Sequence, residues 1–233
     1  MDAERHSARP YQGTDNLEVM AAARNYNAFL VGLVLEHRHG ARQVVDFGAG
    51  IGSFAGMVRA HGLDVLCVEP DSRQRALIRA GGHAAIADVD SLPDGTIDYI
   101  YSLNVLEHIA DDSAALDLLA RKLAPGGRVL IYVPAFPLLF SAMDRKVGHH
   151  RRYRRAQLVA GVERAGLTVI RSRYADSLGF LATLLYKVLG SGSGDLDRDS
   201  VVAFDRFVFP LSRLFDLALG RAIGKNVYVL AAK

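Results

Sequence analysis

The stretch Gln43–Gly52, reading Gln-Val-Val-Asp-Phe-Gly-Ala-Gly-Ile-Gly, constrains this chain more than any other. Apolar, β-prone residues run into Asp46, glycines follow at 48, 50 and 52, and an amphipathic segment from Phe54 to Ala60 begins at once. The pattern is that of a buried strand, a tight turn and a helix start. Glycine tolerates positive φ and lets another group come close to the backbone. The helix start behind it presents unpaired N–H groups. Such a turn suits a ligand lying over the end of the strand, and it also suits a purely structural strand-to-helix connection, so the downstream residues have to decide.

They repeat the theme. Asp64–Pro70 reads as a second buried strand ending in the carboxylate of Glu69, about twenty residues past the glycines, where an acidic side chain accepts hydrogen bonds from ribose hydroxyls. Pro70 ends that strand, and Ser72 is positioned to cap a helix running to Ala80. His83–Asp88 reads as a third strand, again ending in an acid, and Ile97–Asn104 as a fourth, followed by Val105-Leu-Glu-His-Ile. A helix starting at Asp111-Asp112 is stopped by Pro125-Gly-Gly, and Arg128–Pro134, Leu167–Tyr174 and Asn226–Ala232 read as further strands. Strands alternating with helices imply a parallel sheet covered on both faces, with its ligand across the carboxyl ends of the strands.

Two ligand classes use such a turn. A dinucleotide requires Gly-x-Gly-x-x-Gly, but the third glycine is replaced by Ser53, and Asp46 stands where a dinucleotide strand is apolar. An acidic residue there repels phosphate and attracts a cation, which fits S-adenosylmethionine. A nicotinamide-dinucleotide oxidoreductase is the alternative, as is a protein that binds the cofactor without turnover. Asp46, Gly48, Gly50 and Gly52 match the acidic-x-Gly-x-Gly-x-Gly motif in full, and the chain resembles the class I S-adenosylmethionine-dependent methyltransferases. Tyr11-Gln-Gly-Thr-Asp15, Arg24-Asn-Tyr-Asn27, Asn104–His108, Gly148–Tyr153 and Gly224-Lys-Asn226 extend the resemblance to a branch found beside, or fused to, glycosyltransferases. The resemblance implies a Rossmann-like α/β fold with a seven-stranded, mostly parallel sheet, its last strand antiparallel. It implies one domain, with a lid helix in residues 1–40, a cofactor half over 41–134 and a substrate half over 135–233. It further implies that Asp46, Gly48, Ala49, Gly50 and Gly52 meet the amino-acid end of the cofactor and that Glu69 and Pro70 lie at the ribose. Asp88 and Val89 would clamp the adenine, Asn104 and Val105 would floor the methionine part, and Tyr26, on an expected helix from Leu17 to Glu36, would close over it. Asp88 could equally cap the turn that follows it, and Tyr26 could merely pack on the sheet.

Past the fifth strand the regular pattern stops. Phe136–Met143 is apolar, and Asp144–Arg155 is rich in cations. There His149 is a candidate base, Arg152 a candidate fork for an acidic group and Tyr153 their neighbour, against the alternative of a solvated basic helix start. His108 is expected to brace its loop, with contact to the substrate as the alternative. No metal-ligand set is evident, because the fourth strand ends in Asn104 and the nearby histidines have no obvious partners in sequence. About fifty residues separate the last two strands. They contain apolar helical stretches, Leu178–Leu189 and Val201–Leu219, joined through Ser191-Gly-Ser-Gly194, and suggest a helical cap at about 177–222 that encloses substrate or touches a membrane surface or a second subunit. Net charge is only +3, the basic run is short and lacks spaced aromatics, and no nucleic-acid partner is expected. One cysteine permits no internal disulfide, Met1–Pro10 is too polar for a secretory signal, and no apolar run reaches the roughly 18 residues of a membrane span. A cytoplasmic protein acting on a small molecule is the expectation.

Overall fold

The strands follow from their residues. In β4 (Ile97–Leu103), β5 (Leu123–Pro134) and β7 (Asn226–Ala232), alternate apolar side chains point to opposite faces, as a strand buried on both sides requires. Val129, Ile131, Val133, Val227 and Val229 join one core, while Tyr99, Tyr101, Leu130, Tyr132, Tyr228 and Leu230 join the other. The computed structural model describes residues 19–189 and 197–233. Tyr11–Asp15, the start of the lid stretch at Leu17 and the Ser191–Gly194 linker lie outside the described residues.

With β1 (Val44–Phe47), β2 (Leu66–Val68), β3 (Ala85–Ile86) and β6 (Thr168–Ala175), these strands form a seven-stranded sheet in the order β3-β2-β1-β4-β5-β7-β6. The pairs from β3 to β5 are parallel, and β7 inserts antiparallel between β5 and β6. This is the α/β, Rossmann-like architecture expected. Strand order reverses between β1 and β4, so the crevice above Phe47 and Leu103 is the switch point where ligands of such sheets bind.

Helices α1 (Arg24–His37), α2 (Ser53–Arg59) and α3 (Ser72–Ala80) cover one face, with Leu30, Val34, Val58 and Ile78 in its core. Helices α4 (Asp112–Lys122) and α6 (Arg155–Arg164) cover the other through Leu116, Leu119, Leu158 and Val162. A short α5 (Ala142–Lys146) lies between them in sequence. The cap of α3 is Asp71, not Ser72: its carboxylate accepts from the Arg73 and Gln74 amides. Asp71 is the residue still in extended conformation, whereas Ser72 is already the first residue of the helix.

The expected lid helix does not run unbroken, since the chain turns at Ala22–Ala23 and α1 begins at Arg24. Its first turn has no acidic residue and no side-chain cap of its own. The cap comes from the other end of the chain, where the Asp205 carboxylate accepts from the Asn25 amide at 2.9 Å and the Tyr26 amide at 2.8 Å. Asp205 belongs to the insert between β6 and β7, which comprises α7 (Ser177–Leu189), α8 (Arg198–Ala203), a wide turn at Phe204–Val208 and α9 (Phe209–Leu219). The insert is tied down at its base as well. Asp216 accepts from the Asp176 and Ser177 amides, and Asp176 accepts from the Ser212 hydroxyl and the Gly179 amide.

Candidate active site

The glycine turn takes its shape from its neighbours. Gly48, Gly50 and Gly52 all have positive φ, at +81°, +58° and +83°. A Cβ on Gly48 would collide with a Val105 methyl, so the turn after β1 is packed directly on the segment after β4. Ala49 and Gly48 both donate to the Val68 carbonyl of β2. The close approach that these glycines permit is therefore first an approach of protein to protein, and it brings Gly48, Ala49 and Val105 together.

Glu69, at the end of β2, reaches the same turn. One carboxylate oxygen accepts from the Gly50 amide at 2.9 Å and the other from the Asp71 amide at 3.0 Å. Each oxygen retains a lone pair for a ligand hydroxyl. Burial raises its pKa despite these two bonds. Asp46 is more deeply placed, 3 % exposed, and its Oδ2 meets no hydrogen-bond partner. Burial raises its carboxyl to about 7 against the opposing pull of the Tyr101 hydroxyl, with a smaller push upward from the Glu69 charge. Two carboxyl groups thus lie under one turn, one with its oxygens bonded to backbone amides and the other with an unpartnered oxygen. That combination fits a cationic, hydroxyl-bearing nucleoside and does not fit a pyrophosphate.

Around this centre Pro70 is exposed at the rim, where its carbonyl and that of Glu69 accept from Arg75. Asp88 caps the turn Val89–Ser91 through the Asp90 amide, as its alternative reading required, while Val89 is buried in the core. Asn104 adopts positive φ, +56°, as its amide bonds the Tyr132 carbonyl. Tyr26 faces Asn104 and Tyr132, with its ring edge-on to Tyr132 and Phe209, so it both packs on the sheet and roofs the end of β4.

The cation-rich segment is not a solvated helix start. The Tyr153 amide donates to the Pro134 carbonyl and the Phe136 amide to the Tyr153 carbonyl, which folds the segment back onto the end of β5. Its hydroxyl donates to the Asp112 carboxylate at 2.8 Å and contacts the Leu106 carbonyl. Arg152 is buried, and its Nε donates to Asp144 at 2.8 Å. Both residues thus have internal partners: the Tyr153 hydroxyl is bonded to Asp112, and Arg152 to Asp144 and the Ala135 carbonyl.

His149 stands differently. Its Nδ1 lies 2.7 Å from Asp144, while Nε2 points toward Glu107 at 3.8 Å, too far for a hydrogen bond. Burial alone would raise Asp144, but the bonds from His149 and Arg152 outweigh it and hold the carboxyl at about 2. Glu107 is completely buried, neither of its oxygens has a hydrogen-bond partner, and burial raises it to about 8. His108 packs edge-on against His149, with ring centres 4.6 Å apart, and burial lowers it to about 4. Asp144 escaped sequence reasoning because an acid at the head of a charged run looks solvated, and Glu107 because nothing in its apolar surroundings in sequence names a partner, while His108 was expected chiefly to brace its loop.

Residues 5–172 match a family described as a methyltransferase domain. The chain belongs to that family. Over 97 residues it is 36% identical to an uncharacterized methyltransferase of Mycobacterium sp. (strain JLS), covering 40% of this chain and 38% of that protein. It is also 28% identical over 171 residues to a probable S-adenosylmethionine-dependent methyltransferase of Mycolicibacterium smegmatis, covering 70% of this chain and 62% of that one. Among solved structures, phosphoethanolamine N-methyltransferase 2 of Haemonchus contortus, in complex with S-adenosylmethionine, superposes with a TM-score of 0.65 at 19% identity, over all of this chain and 60% of the other. The methyltransferase domain is thus of class I, S-adenosylmethionine is its cofactor, and the dinucleotide alternative falls.

Proposed function

We propose that this chain transfers the methyl group of S-adenosylmethionine to a nucleophilic atom of a small-molecule acceptor. The observation that carries the reading is the meeting of Glu69, Asp46 and the glycine turn at the switch point of the sheet. When bound, the cofactor supplies an electrophilic methyl group on a sulfonium. The buried charge of Asp46 favours a cation nearby, Glu69 accepts from ribose hydroxyls, and Asp88 with Val89 flanks the adenine. Asn104 and Val105 floor the crevice, and Tyr26 closes it. Positioning and exclusion of water supply most of the rate, for which well-oriented groups are worth roughly 7–11 kcal/mol. Calorimetry tests the cofactor reading: wild type binds S-adenosylmethionine, and the Glu69→Ala, Asp88→Ala double variant does not. Undiminished binding by that variant would refute it.

The acceptor side is apolar. Phe136 stacks on Tyr174 at 4.7 Å and meets Phe180 of the insert edge-on at 5.1 Å. The insert's outer face exposes Phe207, Leu211, Leu214, Phe215 and Leu217, with the exposed Arg206 beside Phe207, whereas Arg213 is paired with Asp216 and lies over the Phe29 ring. No helix among the described residues is long and apolar enough to cross a membrane. An apolar ridge carrying the Arg206 cation matches an anionic bilayer surface, which favours a lipid-linked acceptor over a freely diffusing one.

A further inference from the structure

We infer that Glu107, His108 and His149 form a site for one divalent transition-metal ion of the Zn²⁺ type. Their ligand atoms all lie within 4.8 Å of one another. An ion with bonds of about 2.0–2.2 Å holds its ligands about 3–4 Å apart, so adjustment of side chains alone closes the set. The 3.8 Å between His149 Nε2 and Glu107 Oε1 already falls in that range.

The orientation of each ligand supports the assignment. The Asp144 carboxylate is only an acceptor, so the proton of His149 sits on Nδ1 and the lone pair of Nε2 is directed at Glu107. A carboxylate on the far nitrogen is how metal-binding histidines are held. Arg152 neutralises Asp144 and fixes it in place. His108 is secured by a hydrogen bond to the Gly148 backbone, from the loop that carries His149. Glu107 is fully buried with two unpartnered oxygens, an arrangement costly for a carboxylate that has nothing to bind. Both histidines are partly exposed, which gives the ion a path in.

Two imidazoles and one carboxylate suit zinc and its neighbours better than magnesium or calcium. Three protein ligands leave the coordination open, as in catalytic rather than structural zinc sites. The open position takes water or a hydroxyl oxygen of a bound molecule. The site does not depend on the cofactor reading.

The test uses the full chain, untagged and stripped with chelator. Titration with Co²⁺ should produce visible d–d absorption that saturates at one ion per chain, and Zn²⁺ should displace it. Glu107→Gln, nearly isosteric, should abolish the absorption. Asp144→Asn, which acts through His149, should weaken Zn²⁺ binding by about 10–100-fold. Calorimetry with S-adenosylmethionine on the Glu107→Gln variant separates loss of the ion site from loss of the cofactor site or of the fold. Wild type that shows no saturable Co²⁺ absorption, or a folded Glu107→Gln variant that binds Zn²⁺ as tightly as wild type, would overturn the assignment.

Discussion

Replacing Asp46 by asparagine should change how stability depends on pH, and the change can be worked from the structure. Burial raises this carboxyl from 3.8 to about 7 in the folded protein. The folded chain therefore holds a proton that the unfolded chain has already released, and stability falls as pH rises through that window. The full difference corresponds to about 4 kcal/mol. It is absent below the unfolded pKa and fully felt above the folded one. Between about pH 5 and about pH 8 wild type should lose about 2.5–3 kcal/mol through this residue alone. Asp46→Asn has no such titration. Its amide meets the same lack of partners, at a cost of about 1–3 kcal/mol, but that cost does not vary with pH. Urea unfolding of both proteins at a series of pH values gives the difference directly. The gap should move in favour of the variant by that amount as pH rises. Cofactor binding supplies the complement: a cationic ligand favours ionised Asp46, so wild-type affinity should strengthen as pH rises through about 7 while the variant's stays flat. Stability curves that remain parallel across the range would refute the claim that Asp46 is a buried carboxyl held near neutrality.

Gly48→Ala should destabilise by about 1–3 kcal/mol from its left-handed backbone. The clash with Val105 should add to this, and Val105→Ala should relieve the added part alone in a double-mutant unfolding cycle. Asp205→Ala removes the cap of α1 and should lower stability by about 0.5–2 kcal/mol, with a rise in the dissociation constant for S-adenosylmethionine by calorimetry as Tyr26 loosens. Replacing Phe207, Leu214 and Leu217 with serine should abolish flotation with vesicles containing anionic lipid and leave unfolding free energy nearly unchanged, since all three side chains are exposed.

The cofactor half was legible because its signals are local. Gly48, Gly50 and Gly52 announce positive φ, and Glu69 announces itself by a fixed spacing from them, so the 2.9 Å contact between Glu69 and Gly50 restates in space what the sequence states in order. The lid helix was legible only in part. Its apolar period is plain, but its start depends on Asp205, 180 residues away, and no local pattern encodes a cap delivered from that distance. The internal partners of Tyr153 and Arg152 were illegible for the same reason. A run of cations suggests solvent, yet Asp112 and Asp144 draw them inward, and neither pairing follows from spacing.

The acidic partners explain why the acceptor side resists sequence reasoning in general. A buried carboxylate is tolerated only where something offsets its charge. For Asp144 the offset is internal, Arg152 and His149, and the residue works as a clamp. For Glu107 neither carboxyl oxygen meets a hydrogen-bond partner among the described residues, and burial raises it to about 8, so at neutral pH the offset is a proton. Two carboxyl side chains, thirty-seven positions apart, thus divide into one that finishes the fold and one that no internal hydrogen bond holds. Composition treats the two as equivalent. Only the partner count distinguishes them, and that count exists only once the turn after β4 and the loop after β5 have been brought side by side.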